Sequence, residues 1–301
     1  MAIESLTASN IDLEGLSDVE DTFHFTDSKD LGQAIHDFFD DAMDRDSLCD
    51  HTILVIGFPA ESFIINDDDD TDNDDEPLIP RKCKILYLEN SQSLFVTMAT
   101  SPHETASEVF ARMIDRKLMA MNCADEGIPA GTVIRKMINV QKMPDKSWRP
   151  RSRNYITLAL ETGVSESERA LARDAKIWLE HSESHVAQVV TIKISRARPE
   201  IFFSVWKTIR QERGTRAEHT QRATEVQKAH VTLAEERPVA DGRICLSFEE
   251  LFERKPRLET AEKDIAFSAR ELGGIARVVW EDMGFISLPR LGGASGSGIT
   301  L

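Results

Sequence analysis

The sequence predicts an α/β protein in which a mixed β-sheet is flanked by helices. Two observations lead to this fold class. Short apolar runs of strand length alternate with segments whose apolar residues recur every three or four positions. In the middle of the chain the predicted order is helix, strands, helix, strand, strand, which is typical of an α/β core. With 41% hydrophobic residues among 301, the chain can bury such a core.

Helices are predicted at four places where apolar residues follow a helical period. Ser101 followed by Glu104, and Ser165 followed by Glu168, have the spacing of a capping box and indicate two helix starts. Pro102 suits the first turn of the first of these helices. The predicted helices cover residues 30–45, 101–127, 165–181 and 268–283.

Strands are predicted where short apolar or β-branched runs are bounded by polar turns. They cover residues 52–58, 84–87, 94–98, 132–137, 138–142, 155–160, 186–195, 201–206 and 242–248. Residues 215–236 are polar, charged and poor in apolar side chains, so we expect an exposed helix or a disordered insert there.

The charge divides the chain into an acidic N-terminal region and a mildly basic remainder. Residues 1–80 hold 23 acidic and 2 basic side chains, a net charge of −21, whereas residues 81–301 have a net charge of +5. The densest acidic run, residues 66–76, lacks the glycine and the closing glutamate of a calcium-binding EF-hand loop. It is predicted to be a self-repelling, solvated loop that could bind a protein partner.

This division gives the predicted domain organisation. We expect a partly disordered acidic region at residues 1–80, an α/β domain at residues 81–290 with a polar insert near 210–240, and a flexible Gly/Ser-rich tail at residues 291–301.

Residues 135–153 form the most basic stretch, with seven basic side chains against one acidic residue, Asp145. Such a stretch suits a polyanion such as nucleic acid. A solvated face, or a surface that docks the acidic segment of the same chain, would have the same composition. The candidate substrate-binding residues are Lys142, Lys146, Arg149, Arg151 and Arg153.

Several classes of protein are disfavoured by what the sequence lacks. No apolar run is long enough to span a membrane. The four cysteines are far apart and form no C-x-x-C pair, so neither a zinc knuckle nor a disulfide framework is indicated. The first residues do not have the pattern of a secretory signal. We therefore expect an intracellular protein, in the cytoplasm or the nucleus.

Two carboxylates are the strongest candidates for chemistry. Asp145 lies within the basic stretch at residues 135–153, and Glu161 follows the predicted strand at residues 155–160. A carboxylate at a strand end and another on the next strand can converge on one point. Such a pair can hold Mg²⁺ or Mn²⁺, which prefer oxygen ligands, and the metal would activate a water toward a phosphate.

Four segments in this order resemble the restriction-endonuclease-like, or PD-(D/E)XK, superfamily of nucleases, and in particular its uncharacterised fungal members. The segments are residues 102–104, 144–150, 160–167 and 174–179. The resemblance covers roughly residues 80–205. It implies a restriction-endonuclease-like core, metal ligation by Asp145 and Glu161 with Glu104 as a third acidic ligand, and Mg²⁺-dependent phosphodiester hydrolysis on DNA.

The sequence departs from the family pattern at one position. The resemblance implies a catalytic lysine two residues after the second acid, but that residue is Gly163. Lys176 on the following helix is the candidate replacement, although the helical period turns it away from the core stripe. Lys142 or Lys146 could instead reach the site from a neighbouring strand. His103 is expected to have a surface or capping role.

Besides a purely structural domain fused to an acidic interaction tail, two functions remain open on the sequence. One is a magnesium-dependent endonuclease that uses Asp145, Glu161 and a lysine. The alternative is a catalytically inactive domain of the same fold that binds nucleic acid or a protein partner. Gly163 and the acidic N-terminal region favour the alternative.

Overall fold

A computed structural model describes residues 18–62, 77–164, 166–181, 183–211 and 220–287. The predicted acidic loop at residues 66–76, the predicted tail at residues 291–301 and Ser165 lie outside these ranges. The described residues form a mixed α/β structure with two large sheets, and the predicted class of mixed sheet flanked by helices is confirmed.

The first sheet has six strands. In spatial order they are β1 (Asp21–His24), β2 (His51–Ile56), β4 (Ser93–Met98), β3 (Cys83–Leu88), β7 (Val140–Lys142) and β6 (Arg135–Met137). Strands β1 and β2 are parallel, and the other neighbours are antiparallel.

The second sheet has seven strands. In spatial order they are β13 (Arg237–Asp241), β12 (Thr220–Ala234), β11 (Glu200–Gln211), β10 (Gln188–Ile194), β9 (Leu158–Val164), β8 (Lys146–Pro150) and β5 (Gly127–Pro129). Strands β9 and β10 are parallel, and all seven residues of β9 are buried. A small hairpin pairs β14 (Ile244–Leu246) with β15 (Ile265–Phe267).

Five helices cover the faces of these sheets. They are α1 (Ser28–Arg45), α2 (Ser101–Ala120), α3 (Glu168–Glu180), α4 (Phe248–Phe252) and α5 (Ala269–Asp282). Asp27 caps α1 by accepting hydrogen bonds from the backbone of Lys29 and Asp30. A capping box between Ser268 and Glu271 starts α5.

Two predicted helix starts are wrong by one or two residues. The cap of α3 is Ser167, whose hydroxyl accepts from the Ala170 amide, and not Ser165. Helix α2 follows Thr100 rather than using Ser101 as its cap. The Thr100 hydroxyl does not cap the helix because it donates to Asp50.

Clusters of apolar side chains show how the helices and the two sheets are layered. Helix α1 packs on one face of the first sheet through residues such as Phe39 and Val55. The other face of that sheet meets α3 and the second sheet, where Leu86, Ala159 and Trp178 belong to one cluster. Helices α2 and α5 cover the far face of the second sheet. Strand β9 therefore has one face toward the first sheet and one toward α2.

The first sheet takes strands from both sides of the predicted domain boundary at residue 80. Strands β1 and β2 precede it, yet β2 pairs with β4 along six residues to continue the same sheet. Strand pairing joins segments that are far apart in sequence, so a change in composition along the chain does not mark where a sheet ends.

The polar segment near residue 220 is a strand and not an exposed helix. Strand β12 pairs with β11, and Ala229 and Val231 are buried, whereas Lys228, His230 and Thr232, which alternate with them, are not. A strand with one solvated face needs only every second residue to be apolar. Among the described residues, no helix combines the length and apolar character needed to cross a membrane.

We expect Ser268→Ala to lower the free energy of unfolding by about 1 kcal/mol, because the first turn of α5 loses its capping hydrogen bond. Urea unfolding of the full chain measures this. Ser152→Ala, in the exposed turn after β8, is the matched control and should change little. Equal losses in both variants would contradict the capping role.

Candidate functional site

Asp145 and Glu161 lie together between the two sheets. Asp145 comes just before β8, where its backbone amide donates to the Leu160 carbonyl, and Glu161 lies in the middle of β9. Lys84 on β3 reaches both carboxylates from the opposite sheet. Its Nζ is 2.8 Å from Asp145 Oδ1 and 3.1 Å from Glu161 Oε2.

Strand alternation explains why these side chains meet. Glu161 shares the face of β9 with Ala159, and Lys84 shares the face of β3 with Leu86, and both of these neighbours belong to the core between the sheets. Lys142 on β7 shares its face with Val140 of the same core. Each charged residue therefore stands where a period-two pattern places a core residue.

A second lysine extends the cluster to α3. Lys142 Nζ lies 3.3 Å from Glu161 Oε1 and 3.0 Å from Asp174 Oδ2. The indole Nε1 of Trp178 donates to Glu161 Oε1 at 2.6 Å. Arg173 pairs with Asp174 at 3.1 Å. Helix α3 thus contributes a carboxylate, a guanidinium and an indole.

His103 joins the cluster to the start of α2. Its Nδ1 lies 2.7 Å from Asp50 Oδ2, and its Nε2 lies 3.0 Å from Asp145 Oδ1 without the alignment of a hydrogen bond. Asp50 also accepts from the Thr100 amide at 2.9 Å and the Val164 amide at 2.8 Å. The expected surface or capping role of His103 is wrong, because the ring is fully buried.

Charge pairing decides the protonation of these groups. Burial would lower the pKa of His103, but Asp145 and Asp50 outweigh it and raise that pKa well above its usual value. Burial likewise opposes ionisation of Asp145, but His103 and Lys84 hold the pKa of its carboxyl far below its usual value. Burial raises the pKa of Glu161, while Lys142 and Lys84 oppose the shift.

The cluster is electrically balanced without Glu166. Four carboxylates, those of Asp50, Asp145, Glu161 and Asp174, face four cationic groups, those of Lys84, Lys142, His103 and Arg173. Glu166 would be a fifth negative charge. Burial raises its pKa to about 8 although Lys84 acts in the opposite direction.

Glu166 also explains Gly163. A Cβ built at Gly163 would lie 2.7 Å from Glu166 Oε2 and 2.8 Å from its Cβ. Such contacts leave no room for a lysine side chain unless Glu166 moves. The resemblance to the nuclease superfamily implies a lysine at this position. The ammonium groups that contact Glu161 instead belong to Lys84 and Lys142, on two strands of the other sheet.

Among the described residues, Glu104 and Lys176 do not join the contacts of this cluster. Glu104 is exposed on α2, one helical step away from the buried His103. The ammonium groups that contact Asp145 and Glu161 are those of Lys84 and Lys142, and Lys176 is not one of them. The proposed roles of Glu104 as a metal ligand and Lys176 as a catalytic residue have no geometric support.

The predicted substrate-binding residues have different environments. Lys142 is buried inside the cluster and cannot contact a macromolecule. Lys146 pairs with Glu108 at 2.6 Å and Arg153 with Glu253 at 2.6 Å. Arg149 is half-buried, and Arg151 is exposed. Several positive charges of the basic stretch are therefore already paired with carboxylates of the same protein.

The carboxylate pair does not fit a divalent cation as it stands. Asp145 Oδ2 accepts from the Thr162 amide at 2.5 Å, and its Oδ1 contacts Lys84. Glu161 Oε1 contacts Trp178 and Lys142, and its Oε2 contacts Lys84. Within the described ranges, no group of three or more His, Cys, Asp or Glu side chains is arranged to hold a metal ion.

Neither a family model nor a curated protein matches the chain. Among solved structures, a "putative nuclease belonging to DUF820" from Anabaena variabilis is similar at 11% sequence identity, with a TM-score of 0.38. The similarity covers 64% of this chain and 90% of that one. A likeness this distant carries no argument about activity.

We expect Glu166 to make the protein less stable as the pH rises. Its pKa in the folded chain is about 8 against 4.5 for an ordinary glutamate, so the folded state holds this proton more tightly. The free energy of unfolding should then fall between about pH 4.5 and about pH 8.

Glu166→Gln resembles the protonated carboxyl and should flatten this pH dependence, as measured by urea unfolding across the interval. Glu168→Gln, on the exposed first turn of α3, is the matched control and should keep the wild-type slope. An unchanged slope in Glu166→Gln would contradict the raised pKa.

Proposed function

We propose that this chain is a non-catalytic binding domain, in which the predicted catalytic carboxylates form an internal ionic link between two sheets. One observation carries the proposal. The Lys84 ammonium contacts both Asp145 and Glu161, the two carboxylates that would have to hold a metal ion. Each carboxylate oxygen of that pair already contacts a donor from the protein.

Access to the cluster supports the same conclusion. Glu161 is 0% exposed and Asp145 is 5% exposed. A cavity of about 30 Å³ is lined by charged side chains including Lys84, Arg173 and Asp174, and its lining includes neither of the two carboxylates. That is space for water molecules and not for a phosphodiester with its flanking sugars.

In this proposal a partner binds outside the cluster. The exposed surface carries two separate sets of charge, the aspartates of α1 and the basic residues around β6 and β8. The acidic N-terminal region suits a basic protein, and the basic set suits a polyanion. The ionic link keeps the two sheets in one alignment so that these surfaces stay fixed relative to each other.

A magnesium-dependent endonuclease acting on DNA is the second candidate, and one observation favours it. Two carboxylates and two lysines, the residue types that such chemistry uses, are brought to one place from four different segments. This candidate requires Lys84 to leave the carboxylates and the first sheet to move away from β9.

Titration of Mn²⁺ into the full chain, with a plasmid-cleavage assay alongside, separates the two candidates. We expect the wild type to bind no stoichiometric Mn²⁺ and to leave plasmid DNA uncut. Metal-dependent cleavage that is lost in both Asp145→Asn and Glu161→Gln would overturn the non-catalytic proposal. The exposed Glu104→Gln is the control and should behave as the wild type in both assays.

The ionic link should also be visible as stability. Asp145→Asn leaves Lys84 and His103 short of a counter-charge in a buried site, so the free energy of unfolding should fall by about 3–5 kcal/mol. Adding Lys84→Met should recover part of that loss, since an apolar replacement of a buried pair is often tolerated.

Urea unfolding of the two single variants and the double variant measures the coupling between Asp145 and Lys84. The exposed pair of Arg153 and Glu253 is the control, and Glu253→Gln should cost less than about 1 kcal/mol. A loss in Asp145→Asn as small as in the control would contradict an ionic link.

A further inference from the structure

Among the described residues, four basic side chains of this stretch form no ion pair with a carboxylate, and Arg135 and Arg149 are the two of them that are half-buried while Lys136 and Arg151 are exposed. In the described ranges, neither side chain forms an ion pair with a carboxylate, whereas Lys146 and Arg153 each have one. Both arginines are half-buried, on β6 and β8 respectively. Their charge is therefore not neutralised by the described part of the protein.

The two strands direct these arginines into the gap between the sheets. Arg135 is two residues before Met137 on β6, and Met137 belongs to the core between the sheets. Arg149 is two residues after Ser147 on β8, and the Ser147 hydroxyl donates to the Gly131 carbonyl on the segment leading to β6. Each arginine therefore shares a face with a residue that faces the other sheet.

The donors of this pair are incompletely used. The Nε of Arg135 is buried and has no hydrogen-bond partner. Arg149 Nη1 donates to the Arg153 carbonyl, which is a neutral acceptor. Burial lowers the pKa of Arg135, and the nearby positive charge of Arg149 lowers it further. An uncompensated, partly buried pair of like charges is unfavourable in the absence of an anion.

We propose that Arg135 and Arg149 form a binding site for a phosphate group. A planar guanidinium presents paired N–H donors that match the oxygens of a phosphate, and two guanidiniums supply the positive charge that such an oxyanion needs. The exposed Lys136 and Arg151 are next to the pair in sequence and extend the positive charge toward solvent.

This inference deepens the proposed binding function by naming the class of ligand. The phosphate group could belong to a free phosphate compound or to the backbone of a nucleic acid, and the experiment below distinguishes these sources. The metal titration tests the carboxylate pair and not the arginines, so either idea can fail without the other.

Thermal unfolding of the full chain in inorganic phosphate is the first test, with chloride replaced at constant ionic strength. We expect the wild-type Tm to rise with phosphate concentration, because a ligand that binds the folded state stabilises it. Arg135→Gln and Arg149→Gln should lose the rise. In phosphate-free buffer both variants should melt at or above the wild-type Tm, because one of two like charges has been removed.

Arg153→Gln is the matched control, because this arginine of the same stretch is already paired with Glu253. It should keep the phosphate-dependent rise. The proposal is overturned if the wild-type Tm is insensitive to phosphate, or if Arg135→Gln and Arg149→Gln rise as the wild type does. The wild-type titration decides the first point even if a variant does not fold.

Fluorescence anisotropy with a labelled single strand of about 20 nucleotides identifies the source of the phosphate. Binding that inorganic phosphate competes away, and whose salt dependence falls by about one ion for each arginine removed, assigns the site to a nucleic-acid backbone. A Tm rise in phosphate without binding of the strand assigns it to a free phosphate compound. Binding of the strand that is unchanged in both variants counts against the site.

Discussion

Lys84 carries a single positive charge from the first sheet to the two carboxylates of the second, and the geometry of the interior follows from that contact. An ammonium group removed from water costs several kcal/mol unless charged partners surround it. Asp145 and Glu161 supply two such partners at 2.8 and 3.1 Å. Once they are buried, each carboxylate needs further donors, and these come from His103, Trp178, Lys142 and the Thr162 amide.

Because each buried charge needs a partner, the cluster extends beyond Lys84, Asp145 and Glu161. His103 is cationic between two carboxylates, so Asp50 must be buried next to it. Asp50 in turn accepts hydrogen bonds from the amide of Thr100, the residue before α2, and from the amide of Val164 at the end of β9. One neutralised network therefore connects β3, β7, β9, α2 and α3. A shift of β9 by one residue would turn Glu161 to the opposite face of its sheet, so the network also fixes the register.

Gly163 and Glu166 explain why the lysines near Glu161 come from the other sheet and not from strand β9 itself. The side chain of Glu166 fills the space over Gly163, and the positive charges reach Glu161 from across the interface instead. An ammonium that arrives from a covering sheet closes the site, whereas a lysine on the same strand would leave that face open. Arg135 and Arg149, which form no ion pair with a carboxylate of the described residues, lie elsewhere, half-buried on β6 and β8.

Local sequence patterns determined much of this protein. Apolar periodicity places α1, α5 and the strands β2, β3, β4 and β10 close to their observed bounds, because burial of one face is a local property of the chain. The sequence also singled out Asp145 and Glu161, which the structure brings together. It missed Lys84 and Asp50, since their partners are 50 to 114 residues away. A lysine within the apolar strand Cys83–Leu88 was the available signal.

Only the tertiary structure decided what those carboxylates do. The sequence could not show that the acidic N-terminal region contributes strands to the sheet that covers them, or that β12 pairs with β11. Strand β2 pairs with a segment far from it in the chain, and β12, although it is the next described strand after β11, has a polar face that obscures the apolar period. Whether a carboxylate faces solvent, a metal ion or an ammonium is set by what the other sheet brings to it, and here that sheet brings Lys84.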